Sequence, residues 1–97
     1  MIEPVLNLTH SRALAECAAA KAWRYAMGLT MNELAALTGY SSEAIFLFER
    51  GINSLGKPHA RTAWRRYKLA CLAVATMLHY RVTSVDDWQW QQWGKAA

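Results

Sequence analysis

The sequence predicts an all-α domain, and three observations carry that prediction. β-Branched residues are few and scattered, and no segment alternates apolar and polar residues for long. Ala, Leu, Met, Arg and Glu, all good helix formers, fill the stretches between punctuating Gly and Pro residues. A length of 97 residues fits one small core and not two. The apolar share of 54% against 19% charged excludes wholesale disorder.

Each element follows from local signals. Residues 1–8 are expected to be an N-terminal extension, with a first helix starting near Thr9 or Ser11, either of which can cap exposed N–H groups. That helix runs through the Ala-rich stretch to about Ala26 and stops at Gly28. A short second helix starts at Thr30, whose partner Glu33 completes a T-x-x-E capping box, and Gly39 breaks it. A third helix takes Ser41 as cap, turns Ile45 and Phe48 inward and ends at Gly51. A loop from Ile52 leads to Pro58, suited to a helix's first turn, and a long helical pattern continues to about Tyr80 with Trp64, Leu69, Leu72 and Leu78 among its large apolar residues. Ser84 can cap a fifth helix from Val85 to about Trp93, with Asp86 and Asp87 at its positive end, and residues 94–97 are a tail. No repeat or low-complexity tract interrupts this single 9–93 domain.

The longest uncharged apolar run, Leu69 to Leu78, has ten residues, short of the ~18 that a membrane span needs. Glu3 and Pro4 stand where a secretory leader would be basic, so a cytoplasmic protein with no membrane partner is expected. The net charge is +4, but its distribution is more telling. No Asp or Glu occurs between Arg50 and Val85, while Arg50, Lys57, Arg61, Arg65, Arg66, Lys68 and Arg81 all lie there. Such a run can be a solvated helix face; without acidic neighbours it repels itself, and an anionic partner accounts for it better. Cys17 and Cys71 lie far apart without metal-type spacing and read as small apolar residues in a reducing compartment.

The segment from Thr30 to Gly51, TMNELAALTGYSSEAIFLFERG, holds two short helices around a glycine-bearing turn. Ala35 is small enough for close helix approach, and Ile45 and Phe48 plug the gap from one face of the next helix. This is the arrangement of a helix–turn–helix, residues 30–51, whose second member lies in the DNA major groove. The pattern Arg24-x-x-x-Gly28-Leu29-Thr30-x-x-Glu33-Leu34-Ala35-x-x-x-Gly39-x-Ser41-x-x-x-Ile45-x-x-x-Glu49-x-Gly51 resembles the lambda-repressor/Cro-like (XRE-type) DNA-binding family. The match is close over about 28 residues and looser from Ser11 to Trp88.

The resemblance implies roles. Arg24 and Glu49 correspond to the family's internal ion pair between the first and recognition helices. Ser42, Glu43 and Leu47 fall on base-contacting positions, with Ser41 and Phe46 beside them, and Arg50 and Lys57 fall where the family touches phosphate. Arg61, Arg65 and Arg66 extend that phosphate contact by charge alone. Two departures stand out. Met31 replaces a frequent phosphate-donating Gln, and Phe46 and Leu47 are apolar where polar readers are common. An apolar side chain can contact a thymine methyl and Glu43 can accept from a cytosine amino group. An exposed Phe–Leu pair equally suits a protein-binding surface, and Phe46 tucked against another helix is the plain structural alternative.

His10, His59 and His79 are scattered, Asp86 and Asp87 point to different sides of a helix, and Ser41 and Ser42 have no base beside them. No metal site, cofactor or enzyme is expected. Trp88, Trp90 and Trp93 crowd into six residues. Trp88 is expected to close the core, and Trp90 and Trp93 to form a homodimer interface, unless all three fold back on their own domain. The expected function is a small prokaryotic or phage repressor that binds a two-fold double-stranded DNA operator and occludes a promoter. The alternatives are an antitoxin that also masks a toxin, or a protein-interaction module such as an antiactivator or anti-defence inhibitor.

Overall fold

The computed structural model describes residues 2–82 and 85–87, with side chains from Leu14 onward apart from that of Asp87. The order is α1 (Ile2–Ala26), α2 (Met31–Thr38), α3 (Ser42–Arg50), α4 (Arg61–His79) and a single 3₁₀ turn, Val85–Asp87. The described residues are all helix and loop, with no strand. No described helix is long and apolar enough to cross a membrane.

α1 begins at Ile2, so Thr9 and Ser11 are interior helix positions and not caps. Pro4 does not oppose this, because a proline in the first turn lacks an N–H that would be unpaired there anyway. α2 starts as its sequence requires. The Thr30 hydroxyl accepts from the Glu33 N–H at 3.0 Å, and the Glu33 carboxylate accepts from the Thr30 N–H at 2.9 Å. The Thr30 N–H on the carboxylate, with the Thr30 hydroxyl beside it, holds the Glu33 carboxyl below its ordinary pKa. α2 ends at Gly39 (φ +84°), a left-handed position that favours glycine.

α3 repeats the pattern with Ser41, whose hydroxyl accepts from the Ala44 N–H at 3.0 Å. Its end, Gly51 (φ +81°), is doubly constrained, since a Cβ there would lie 3.3 Å from Leu14 Cδ2 and 3.4 Å from Cys17 Sγ. The close passage of α1 thus needs a glycine for space as well as for backbone shape.

α4 starts at Arg61, three residues after Pro58. Ala60 is its extended cap residue and makes no side-chain cap bond. Residues 58–60 are diverted from helix by His59, which stacks on Phe48 at 4.2 Å. Its Nε2 lies 3.0 Å from the Leu47 carbonyl oxygen; that oxygen can only accept, so the ring donates. The inward stripe of α4 is Trp64, Tyr67, Cys71, Val74 and Leu78, at helical spacing. Leu69 and Leu72, also among the large apolar residues of this helix, fall off that stripe and are exposed. The expected fifth helix is described only at Val85–Asp87, a 3₁₀ turn; Ser84, Trp88, Trp90 and Trp93 lie outside the described residues.

The core is one cluster of Leu34, Ile45, Phe48, Tyr67 and Val74. Phe48 is its hub, stacked on Tyr67 at 4.3 Å between ring centroids, with Tyr40 edge-on to both rings. Each such buried side chain stabilises the fold by about 1.5–3 kcal/mol. Burial, with Cys71 beside it, pushes the Tyr67 phenol well above its ordinary pKa. Cys17 is buried as expected, while Cys71 is half-buried; both are free thiols.

Candidate nucleic-acid interface

α3 presents two different faces. Ile45 and Phe48 are buried in the core. Glu49 points back to α1, where its carboxylate accepts from Arg24 Nε at 2.7 Å and from Arg24 Nη2 at 2.9 Å. The pair is sealed, with side-chain exposures of 4% and 3%. Arg24 Nη1 also donates to the Leu29 carbonyl at 3.0 Å, so one guanidinium ties together α1, the α1–α2 turn and α3. The Glu49 hydrogen bonds raise the Arg24 pKa further, keeping it charged despite its burial.

The opposite stripe, at spacings of three and four, is Glu43, Phe46 and Arg50, all exposed. Glu43 lies in the first turn of α3, where the helix dipole favours a carboxylate. Phe46 is 41% exposed, so it is not tucked under another helix. The Arg50 guanidinium lies over its ring, 5.4 Å from the centroid. The side chains of Ser41 and Ser42 are already engaged: the first caps α3 and the second donates to Asn32 Oδ1 on α2. Leu47 is half-buried, and its carbonyl accepts from the Gly51 and Ile52 N–H groups as well as from His59.

The cations separate into groups. Lys57 leaves a loop closed on Asn53, whose Oδ1 accepts from the Leu55 and Lys57 N–H groups at 2.9 and 3.0 Å. Two backbone bonds, Gly56 N–H to the Asn53 carbonyl and Asn53 N–H to the Lys57 carbonyl, complete the clasp. His59, two residues on, ties this loop to the C-terminal half of α3. Arg61, Arg65 and Arg66 are exposed on the first turns of α4. Helical spacing puts Arg61 and Arg65 on one flank of α4 and Arg66 on the other, so they do not form one row. Lys68 turns to Glu16 on α1 at 3.5 Å, and Glu16 also accepts from Trp64 Nε1 at 2.5 Å.

Asn32, Asn53 and His59 shape this surface and were not singled out by the sequence. The Asn-x-x-Gly run at 53–56 is a turn signal that could have marked the clasp. Asn32 and His59 carry no local signal, since their partners are ten and twelve residues away. No group of three or more His, Cys, Asp or Glu side chains able to hold a metal occurs among the described residues. Comparison with descriptions of protein families, with curated proteins and with solved structures finds no match to this chain.

Proposed function

We propose that the protein is a sequence-specific double-stranded DNA-binding regulator of the lambda-repressor/Cro-like kind, with α2 and α3 as its helix–turn–helix. The observation that carries this reading is the division of α3. One side is fixed by the core and the Arg24–Glu49 pair, while Glu43, Phe46 and Arg50 form an open stripe on the other. A B-form major groove about 12 Å wide accepts one helix presented this way, provided that the helix is rigidly held from behind.

In this reading Glu43 accepts from a cytosine amino group and Phe46, with Leu47 at its edge, packs on thymine methyls. Arg50, Lys57 and the arginines of α4 grip the phosphate rails and set orientation. Ser42 acts through Asn32: its hydroxyl occupies the Asn32 oxygen and leaves the amide hydrogens to donate outward. Two copies on a two-fold operator would place half-site centres about 34–36 Å apart. Repression follows from promoter occlusion.

A second reading, a protein-interaction module, is favoured by Phe46 and Leu55, large apolar residues at 41% and 77% exposure. Selection of bound duplexes from a random pool, followed by mobility shifts across a salt series, separates the two. A DNA binder weakens steeply with salt as counterions are released. Arg50→Ala and Lys57→Ala then weaken all sequences alike, each removing about one unit from the log–log salt slope, whereas Phe46→Ala relaxes preference at one base step. No shift with any duplex at low salt would sink the DNA reading and leave the protein partner.

A further inference from the structure

The open stripe of α3 puts an acid and an aromatic ring side by side. Glu43 and Phe46, three residues apart, are neighbours on the helix surface, with Cβ atoms about 5–6 Å from each other. Neither is spent on the protein's own packing. Phe46 is 41% exposed, and the Glu43 carboxylate makes no ion pair or hydrogen bond among the described residues. The Arg50 guanidinium lies over one face of the Phe46 ring, which restrains the ring and keeps that cation away from Glu43.

In a major groove these two side chains ask for a combination that the four ordinary bases lack. A carboxylate there needs a donor, and only the amino groups of cytosine and adenine supply one. An aromatic ring gains from a methyl group, which thymine alone carries. An A·T pair has both, but thymine O4 stands between the donor and the methyl, and adenine N7 flanks the donor on the other side; both are acceptors that repel a carboxylate. In a G·C pair the cytosine amino group has no acceptor on its C5 side, and C5 carries only hydrogen. A methyl group at C5 puts donor and methyl on adjacent ring atoms of one base and leaves base pairing unchanged.

We propose that Glu43 and Phe46 together recognise 5-methylcytosine in duplex DNA, Glu43 accepting from its N4 amino group and Phe46 packing on its 5-methyl group, so that binding responds to cytosine methylation. The inference rests on the DNA-binding reading of α3 and goes beyond it by joining the two contacts on one base.

The test uses duplexes selected from a random pool made with 5-methylcytosine in place of cytosine. Each selected duplex is then remade with cytosine, or with a T·A pair, at one methylated position at a time, and affinities are read by fluorescence anisotropy. At one position in the site, cytosine weakens binding about fourfold, the worth of one buried methyl group. A T·A pair at that position weakens it about tenfold, as an acceptor replaces the donor. Phe46→Ala makes 5-methylcytosine and cytosine equal there. Glu43→Gln removes the penalty for thymine, because its amide can donate to O4 as readily as accept from N4. Both side chains are exposed, so neither variant threatens the fold. Selected duplexes that bind equally well with cytosine at every position, or better with thymine, overturn the proposal and leave the DNA reading standing. A methyl preference that survives Phe46→Ala overturns it as well. No binding to any duplex at low salt overturns both.

Discussion

Replacing Glu49 by Gln keeps the shape of the side chain and removes its charge, leaving the Arg24 guanidinium buried without a counter-ion. Arg24 then retains the Leu29 carbonyl bond at 3.0 Å, but its two bonds of 2.7 and 2.9 Å to a carboxylate are replaced by at most one to a neutral amide oxygen, with an NH2 group facing the other N–H. Breaking a buried pair from one side costs about 3–5 kcal/mol. A domain of this size has a total stability of about 5–15 kcal/mol. At about 4–8 °C per kcal/mol the melting temperature should fall by about 12–40 °C. Removing both charges is a different perturbation. In the Arg24→Met/Glu49→Leu protein no charge is stranded, and the main loss is the bond to the Leu29 carbonyl, about 1–3 kcal/mol. Urea denaturation of the parent, Arg24→Met, Glu49→Leu and the double variant gives the coupling, with Glu49→Gln measured beside them and a constant m-value as the check on two-state behaviour. The double variant should be more stable than Glu49→Gln. A Glu49→Gln protein within about 1 kcal/mol of the parent would refute the reasoning, because water would then have to reach the guanidinium.

Three further outcomes follow from the geometry. Gly51→Ala should destabilise more than Gly39→Ala by urea denaturation: both strain a left-handed backbone by about 1–2 kcal/mol, but only Gly51 also presses on Leu14 and Cys17; equal losses would contradict that packing. Glu33→Gln should be less stable than the parent at neutral pH, and the two should converge on acidification. A carboxylate whose pKa is lowered by folding contributes above its unfolded pKa and loses that contribution as pH falls through the folded value; a gap independent of pH would count against the capping box. Tyr67 has its pKa raised by folding, so its contribution is present below the unfolded phenol pKa and is lost as pH rises above it. Tyr67→Phe should therefore blunt alkaline unfolding, followed by circular dichroism, and an unchanged alkaline limb would exclude this source.

The parts of the fold that could be read from the sequence are those set within one turn of chain. Thr30 with Glu33, Ser41, Gly39 and Gly51 mark both ends of α2 and α3, because capping needs partners only two to four residues away. The start of α4 escaped for the opposite reason. Pro58 reads locally as a helix's first turn, but the His59 bond to Leu47 and its stacking on Phe48 hold that stretch extended. The outward turn of Leu69 and Leu72 was hidden likewise, since a large apolar residue counts toward a core until the inward stripe through Tyr67 and Val74 is known. At the candidate interface, the Arg24–Glu49 pair followed from resemblance and not from spacing, as 25 residues separate its members. The engagement of Ser42 with Asn32 and the split of the α4 arginines depend on how helices meet and on which way a side chain turns.

The Asn53 clasp has an energetic consequence of its own. A lysine on a slack loop must be ordered when it meets an anion, at about 1–2 kcal/mol for each backbone residue fixed. Here one amide oxygen already restrains the backbone around Lys57, so much of that entropy is surrendered when the chain folds and not when a ligand arrives. Asn53→Ala would accordingly weaken any contact made by Lys57 while leaving the ammonium group itself untouched.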